Sequence, residues 1–128
     1  MGKEYTDKLL IDFGEDEKKL IPVVTQDFRS KEVLIVAFAN KAAFEETVKS
    51  GFATYWSRSR KELWKKGLTS GDLLKVEEIR INCEQNSLLY LVTPIGKGAC
   101  HAKKEDGNPH SSCYYRKIEG NKLIFIEK

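Results

Sequence analysis

Several features that would indicate other classes of protein are missing from this chain of 128 residues. No window approaches the roughly 18 consecutive apolar residues of a membrane-spanning helix. The N-terminal stretch, MGKEYTDKLLIDFGEDEKKL, lacks the continuous apolar core of a signal peptide. The formal net charge is only +3, which argues against broad coating of nucleic acid and predicts that any anion binding is local. We therefore expect one folded domain over residues 1–128, located in the cytoplasm.

Cysteine is also scarce, since only Cys83, Cys100 and Cys113 are present. Their number is odd and no two form the CxxC pair of a zinc ribbon, so we expect free or metal-bound thiols rather than disulfides. One interpretation is that each cysteine is a small buried hydrophobe. The alternative is a catalytic zinc site, because none of the three has an apolar sequence neighbourhood. Three thiolates would leave a fourth zinc position open to water.

The densest group of polar side chains lies in residues 55–71, which read YWSRSRKELWKKGLTSG. Arginine and lysine bind phosphate, and hydroxyl and glycine N–H groups donate hydrogen bonds to it. A solvated charged face with two core tryptophans is the simpler interpretation of the same run. The combination with two glycines favours binding of a phosphorylated ligand. The candidate substrate-binding residues are Trp56, Ser57, Arg58, Ser59, Arg60, Trp64, Lys66, Thr69 and Ser70.

Three further side chains are candidates for acid–base chemistry. His101 and His110 share a polar loop with two of the cysteines, and either could be a fourth metal ligand or a general acid or base. A solvent-exposed loop histidine is an equally good interpretation of each. Glu84 follows the first cysteine and could orient water or bind a hard cation, although an isolated turn glutamate is by default a solvated surface charge.

The pattern of apolar residues predicts an α+β fold, mostly antiparallel sheet with one or two short helices. Asn40 is placed to cap a helix over residues 41–49, and Gly51 to end it. Residues 62–66 are too short a run to assign, and residues 1–19 are expected to form a short helix or an ordered arm. Residues 96–112 form a long polar loop, of a length that is often functional. Strands are predicted over residues 20–27, 33–38, 54–57, 74–82, 87–93 and 122–127.

Taken together, several motifs resemble the phosphoribosyl-AMP cyclohydrolase family of histidine biosynthesis. They are WSRSR, LWKKG, TSG and EIR, a cysteine after a short polar turn, and a Cys-His pair followed by Ser-Cys-Tyr-Tyr-Arg. The resemblance covers a core from about residue 20 to residue 116 and includes IPVVTQD and VLIVAFAN. Residues 1–19 are then an N-terminal arm and residues 117–128 a C-terminal extension. The chain is identified as a divergent member of the family.

The resemblance implies a metal-dependent hydrolase that forms an intertwined homodimer, with active sites at the subunit interface. Such an enzyme opens the adenine ring of 1-(5-phosphoribosyl)-AMP by adding water across the N1–C6 bond. The resemblance implies that zinc is held by Cys83, Cys100 and Cys113, contributed by both subunits. His101 follows the second cysteine as in the family, and it is our first choice for proton transfer.

The chain departs from the family pattern in two places. Where the family has an Asp-Cys-Asp-x-Asp cluster that binds magnesium, this sequence has Asn82-Cys83-Glu84-Gln85-Asn86. Three potential carboxylates are reduced to one, which predicts a weak or missing magnesium site at Asn82, Glu84 and Asn86. Residues 103–109 form an insertion between the last two cysteines and bring His110 near Cys113.

Two other functions stay open at this point. One is a paralogue that hydrolyses a different purine nucleotide. The other is a non-catalytic, zinc-stabilised module that binds nucleotide or RNA through Trp56, Trp64 and the arginines. The modest net charge and the lack of an extended basic stripe argue against nucleic acid. The expected partners are a purine nucleotide and a second copy of the chain, with no membrane.

Overall fold

The computed structural model describes residues 2–128. Its elements are a 3₁₀ helix at Lys3–Tyr5, one α-helix and eight strands within that range. In chain order they are β1 (Ile21–Asp27), β2 (Val33–Ala39), α1 (Lys41–Ser50), β3 (Thr54–Ser57), β4 (Glu62–Lys65), β5 (Leu74–Ile81), β6 (Leu88–Pro94), β7 (Arg116–Glu119) and β8 (Lys122–Phe125). The predicted α+β class is confirmed, and the homodimer stays a prediction.

A four-stranded sheet in the order β2-β1-β6-β5 forms the centre of the fold. The pairs β1–β2 and β5–β6 are antiparallel hairpins, in agreement with the predicted mostly antiparallel sheet, whereas β1 and β6 lie parallel. Ile21, Val23 and Thr25 alternate with more exposed residues along β1 and are buried on one face of the sheet. The parallel pair is possible because a long connection containing α1, β3 and β4 joins the two hairpins.

Helix α1 has the ends that the sequence predicts. The Asn40 side chain accepts a hydrogen bond from the Ala43 N–H at 2.9 Å, and Gly51 ends the helix in the left-handed conformation with φ 79°. The Thr47 hydroxyl lies on the buried face and contacts β3, accepting from the Thr54 N–H at 3.0 Å. The helix therefore fixes the start of the segment that contains the YWSRSR motif.

Strands β3 and β4 form a hairpin that packs on the central sheet. Tyr55 is fully buried, and its hydroxyl bonds the Thr25 hydroxyl of β1 at 2.6 Å. Trp64 lies opposite Tyr55 in the register of the hairpin, with their ring centres 5.5 Å apart. This pairing makes residues 62–65 a strand, although the run is too short to assign from the sequence, and the polar motif is a hairpin with its tip at residues 58–61.

The two ends of the chain lie against loops of the core. A C-terminal hairpin of β7 and β8 contains the predicted last strand and an additional one, β7, that was not predicted. Near the N-terminus, the Gln85 side chain is buried and bonds the Leu10 N–H at 2.7 Å, so the arm is tied to the β5–β6 turn. No helix of residues 2–128 is both long and apolar enough to cross a membrane.

Candidate active site

A cavity of about 400 Å³ opens between the β3–β4 hairpin, the turn that follows β4, and the loop after β6. The predicted substrate-binding residues that line it are Arg60, Trp64, Lys66, Thr69 and Ser70. The same walls contain Cys100, Cys113 and His101. The structure thus brings the phosphate-binding candidates and two of the three thiols into one space, although they are far apart in the sequence.

Cys100 and Cys113 both line the cavity, and the Cys100 thiol lies near enough to Cys113 to influence its pKa. Cys100 is only 5% exposed, and its sulfur accepts a hydrogen bond from the Ala102 N–H at 3.4 Å. Cys113 is anchored through its N–H, which donates to the Leu34 carbonyl of β2 at 2.8 Å. Burial, and then the neighbouring Cys100, raise the pKa of the Cys113 thiol. Both thiols are free, so a soft metal ion would bind here by displacing thiol protons.

Lys66 is the most deeply buried cation of the cavity, at 6% exposure. Its ammonium donates to the Asp72 carbonyl at 3.3 Å, which uses one of its three donors. Burial lowers the pKa of Lys66, while the nearby Asp72 carboxylate acts in the opposite direction. Arg60, Lys65 and Lys103 also line the walls, against the acidic Glu62 and Asp72, so the cavity has an excess of positive charge.

A tight turn holds Lys66 in this position. Gly67 has φ +83°, and a Cβ placed on it would lie 2.2 Å from the Asp72 backbone, so only glycine allows the close approach. The Asp72 carboxylate then accepts from the Lys97 N–H at 2.9 Å and links the turn to the loop that leads to Cys100. Sequence reasoning missed Asp72, although its place directly after the Thr-Ser-Gly motif was an available signal.

The remaining part of the predicted substrate-binding set lies in a neighbouring shallow hollow beside β2. The guanidinium of Arg58 lies 4.1 Å from the centre of the Phe38 ring, a cation–π contact. The Ser57 hydroxyl accepts from the Arg60 N–H at 3.3 Å and so shapes the hairpin tip. Trp64 lines both spaces, which connects them. The predicted substrate-binding residues that line only this second hollow are Trp56, Ser57, Arg58 and Ser59.

The two histidines have different surroundings. His101 is exposed at the cavity wall beside Cys100. His110 is 2% exposed; its Nδ1 lies 3.0 Å from a Glu127 carboxylate oxygen, and its ring stacks on Tyr115 with centres 3.6 Å apart. Because an ionised carboxylate only accepts hydrogen bonds, Nδ1 is the donor. The Ser111 N–H and then His110 lower the pKa of Glu127. Sequence reasoning missed Glu127, and no sequence motif identifies it.

Cys83 lies elsewhere, exposed in the turn between β5 and β6. It lines a separate hollow together with residues of the N-terminal arm. Within residues 2–128, no three His, Cys, Asp or Glu side chains gather in an arrangement suited to a metal ion. One copy of the chain therefore provides two adjacent thiols, which suit zinc as part of a ligand set, and holds the third away from them.

The predicted magnesium ligands do not fit a hard cation in this conformation. The Asn82 side-chain oxygen accepts from the N–H groups of Asn86 and Ser87, both at 2.9 Å. The Asn82 amide in turn donates to the Asn86 side-chain oxygen at 2.6 Å. The side-chain oxygens of Asn82 and Asn86 are thus engaged in hydrogen bonds within the turn, and Glu84 is the single carboxylate of residues 82–86. Magnesium prefers several oxygen ligands in octahedral geometry, at least one or two of them carboxylates.

Comparisons with known proteins agree with the sequence resemblance. Residues 35–115 match the family described as Phosphoribosyl-AMP cyclohydrolase. A phosphoribosyl-AMP cyclohydrolase of Archaeoglobus fulgidus is 56% identical over 84% of this chain and 94% of its own length. One of Desulfatibacillum aliphaticivorans is 48% identical over 84% of this chain and 81% of its own length. The histidine biosynthesis bifunctional protein HisIE of Aquifex aeolicus is 44% identical over 84% of this chain and 50% of its own length. Such identities do not set the chain apart as divergent, and it belongs to the phosphoribosyl-AMP cyclohydrolase family.

Proposed function

We propose that this enzyme is a zinc-dependent hydrolase that opens the adenine ring of 1-(5-phosphoribosyl)-AMP at the N1–C6 bond, a step of histidine biosynthesis. Family membership supports the hydrolase class and the pathway. The structural observation that carries the finer proposal is the shared cavity, in which a thiol pair faces an excess of cationic side chains. Hydrolysis of a purine nucleotide with two phosphates needs metal-binding thiols and phosphate-binding cations at one site.

The cations and hydroxyls of the cavity are proposed to hold the substrate. Lys66 and Arg60 pair with phosphate oxygens, and the hydroxyls of Thr69 and Ser70 donate further hydrogen bonds. Trp64 offers a flat apolar surface against which a purine can stack. Charge-assisted bonds at Lys66 are strengthened because this lysine is buried, where water screens it poorly.

Cys100 and Cys113 are proposed to hold zinc, with Cys83 from a second copy of the chain completing the thiolate set. Bound zinc lowers the pKa of a water ligand and so makes hydroxide available near neutral pH. In the net reaction the water oxygen becomes a carbonyl oxygen on C6 and loses both of its protons, one of them to solvent, while the N1–C6 bond breaks and N1 gains a proton. We assign delivery of that proton to the imidazole of His101, which is exposed beside Cys100 at the cavity wall.

The direct test is turnover of 1-(5-phosphoribosyl)-AMP by the purified full chain loaded with zinc. Ring opening changes the ultraviolet spectrum of the purine, so we expect a progressive absorbance change that needs both enzyme and zinc. Absence of turnover with zinc bound and magnesium supplied would overturn the proposal. Hydrolysis of a different purine nucleotide instead would support the paralogue, and tight nucleotide binding without any hydrolysis would support the binding module.

Magnesium is expected to be dispensable, because the oxygen atoms of Asn82 and Asn86 are already engaged within the turn. Zinc-loaded protein dialysed free of magnesium should turn over the substrate at a rate within about two-fold of the rate with millimolar magnesium added. The comparison uses the same protein batch and confirms zinc content before and after dialysis. A rise of ten-fold or more on adding magnesium would contradict this expectation.

A further inference from the structure

We propose that Glu127 is a positioning residue: from the C-terminal extension it fixes the loop that carries Cys100 and His101, so that Cys100 keeps its place in the cavity wall that it shares with Cys113. This inference rests on the proposed function, because it is the proposed function that makes Cys100 of this loop a zinc ligand. It assigns a task to a segment that lies beyond the residues matched by the family, 35–115.

Glu127 makes three hydrogen bonds to the loop. One carboxylate oxygen accepts from His110 Nδ1 and from the Ser111 N–H, both at 3.0 Å, and the other accepts from the Ser111 hydroxyl at 3.0 Å. Charge-assisted bonds of this kind are roughly twice as strong as bonds between neutral groups. The Glu127 side chain thus holds two consecutive loop residues, His110 through its ring and Ser111 through its backbone N–H and its hydroxyl.

The two residues that Glu127 holds are the partners of the Cys100 segment. The His110 carbonyl accepts from the Cys100 N–H at 3.1 Å, and the His110 N–H donates to the Ala102 carbonyl at 3.0 Å. The Ser111 carbonyl accepts from the Ala99 N–H at 3.2 Å. Displacement of residues 110–111 would therefore displace the backbone of Cys100. A Cβ on Gly98 would lie 2.4 Å from the His110 carbonyl oxygen, so the backbone before Cys100 also lies close to the backbone of His110.

The C-terminal segment is itself held in register with the loop. The Tyr115 carbonyl accepts from the Ile126 N–H at 2.8 Å and from the Glu127 N–H at 3.3 Å. The Tyr115 ring stacks on the face of the His110 ring, while Glu127 bonds Nδ1 at its edge, so two residues of the C-terminal part hold this histidine. The hairpin β7–β8 connects Tyr115 to Glu127 and sets the distance between them. The extension therefore presents Glu127 to the loop in one defined place.

The segment 103–109, which the family resemblance marks as an insertion, makes the loop that Glu127 contacts a long one. It turns back on itself through an isolated bridge between Lys103 and Pro109 and a 2.8 Å bond from the Lys104 N–H to the Asn108 carbonyl. Longer loops cost more conformational entropy to order. Since Lys103 and Pro109 line the cavity, its wall as well as the thiol depends on the loop being held.

The test compares Glu127→Ala with Glu127→Gln and with Glu119→Ala as control. Glu119 lies in the same hairpin, exposed, and pairs with Lys117. Glutamine keeps the shape and can still accept from His110 and the Ser111 N–H, while its amide donates to the Ser111 hydroxyl. Zinc affinity, measured by competition with a chromophoric chelator, should fall roughly 10- to 100-fold in Glu127→Ala. It should stay within about three-fold of wild type in Glu127→Gln and Glu119→Ala.

A second readout does not depend on zinc. In the metal-free full chain, amide hydrogen exchange at Cys100 and His110 should be about ten-fold faster in Glu127→Ala than in wild type, and unchanged in Glu119→Ala. A lowered melting temperature with unchanged zinc affinity and unchanged exchange at these amides would mean a merely structural role and overturn the proposal. If wild-type protein binds no zinc, the zinc part of the proposed function fails. The exchange measurement still tests the inference in that case, because unchanged exchange at Cys100 and His110 in Glu127→Ala would show that Glu127 does not support the loop.

Discussion

Replacing Cys100 by serine is expected to abolish zinc binding and to reduce turnover at least roughly 1,000-fold. A serine hydroxyl is not deprotonated near neutral pH and is a poor zinc ligand, so Cys113 would be the only thiolate that its own copy contributes to this site. The measurements are zinc per subunit by atomic emission and turnover of 1-(5-phosphoribosyl)-AMP. Full zinc content in Cys100→Ser would contradict the assignment of this thiol.

The variant is informative because the fold should tolerate it. The Cys100 sulfur accepts from the Ala102 N–H, and a serine oxygen can accept the same bond. The melting temperature of the metal-free variant should therefore equal that of metal-free wild type within a few degrees. If Cys100 is instead only a small buried hydrophobe, purified wild type will contain no zinc and Cys100→Ser will retain its activity.

Local sequence signals predicted most of the secondary structure. Asn40 and Gly51 define the ends of α1 because their roles depend on neighbours within four residues. Strand β4 was missed because its four residues have no periodicity of their own, and it becomes a strand only when Trp64 pairs opposite Tyr55. Similarly, the parallel pairing of β1 with β6 depends on how two distant hairpins pack, which no local pattern encodes.

For the candidate site, too, local sequence identifies some of the residues, whereas their arrangement depends on tertiary packing. Residues 55–71 were identified by composition, but their separation into two hollows follows from the hairpin and the Gly67 turn. His110 shared a loop with two cysteines and so was a reasonable acid–base candidate; the structure instead directs its ring towards Glu127, 17 residues further along the chain. The role of His110 in catalysis stays a prediction, and His101 is the histidine that lines the cavity.

Cys83→Ser should be as damaging as Cys100→Ser, and a mixture of the two variants should recover activity. In one copy of the chain Cys83 lies exposed in the β5–β6 turn, away from the cavity that Cys100 and Cys113 line. If the ligand set is completed across a homodimer, each mixed dimer of the two variants contains one intact site and one doubly mutated site. With random exchange of subunits, half of the dimers are mixed, so the expected recovery is about a quarter of wild-type turnover.

The experiment unfolds and refolds the two purified variants together, and each variant treated alone is the control. A mixture of Cys100→Ser with Cys113→Ser is the matched negative, because both substitutions remove ligands from the same half of the site and no pairing restores it. Recovery of zinc should accompany recovery of turnover. A mixture that regains neither, while wild type refolds to full activity, would mean that Cys83 does not complete a site across two copies. The exposed position of Cys83 would then need another explanation.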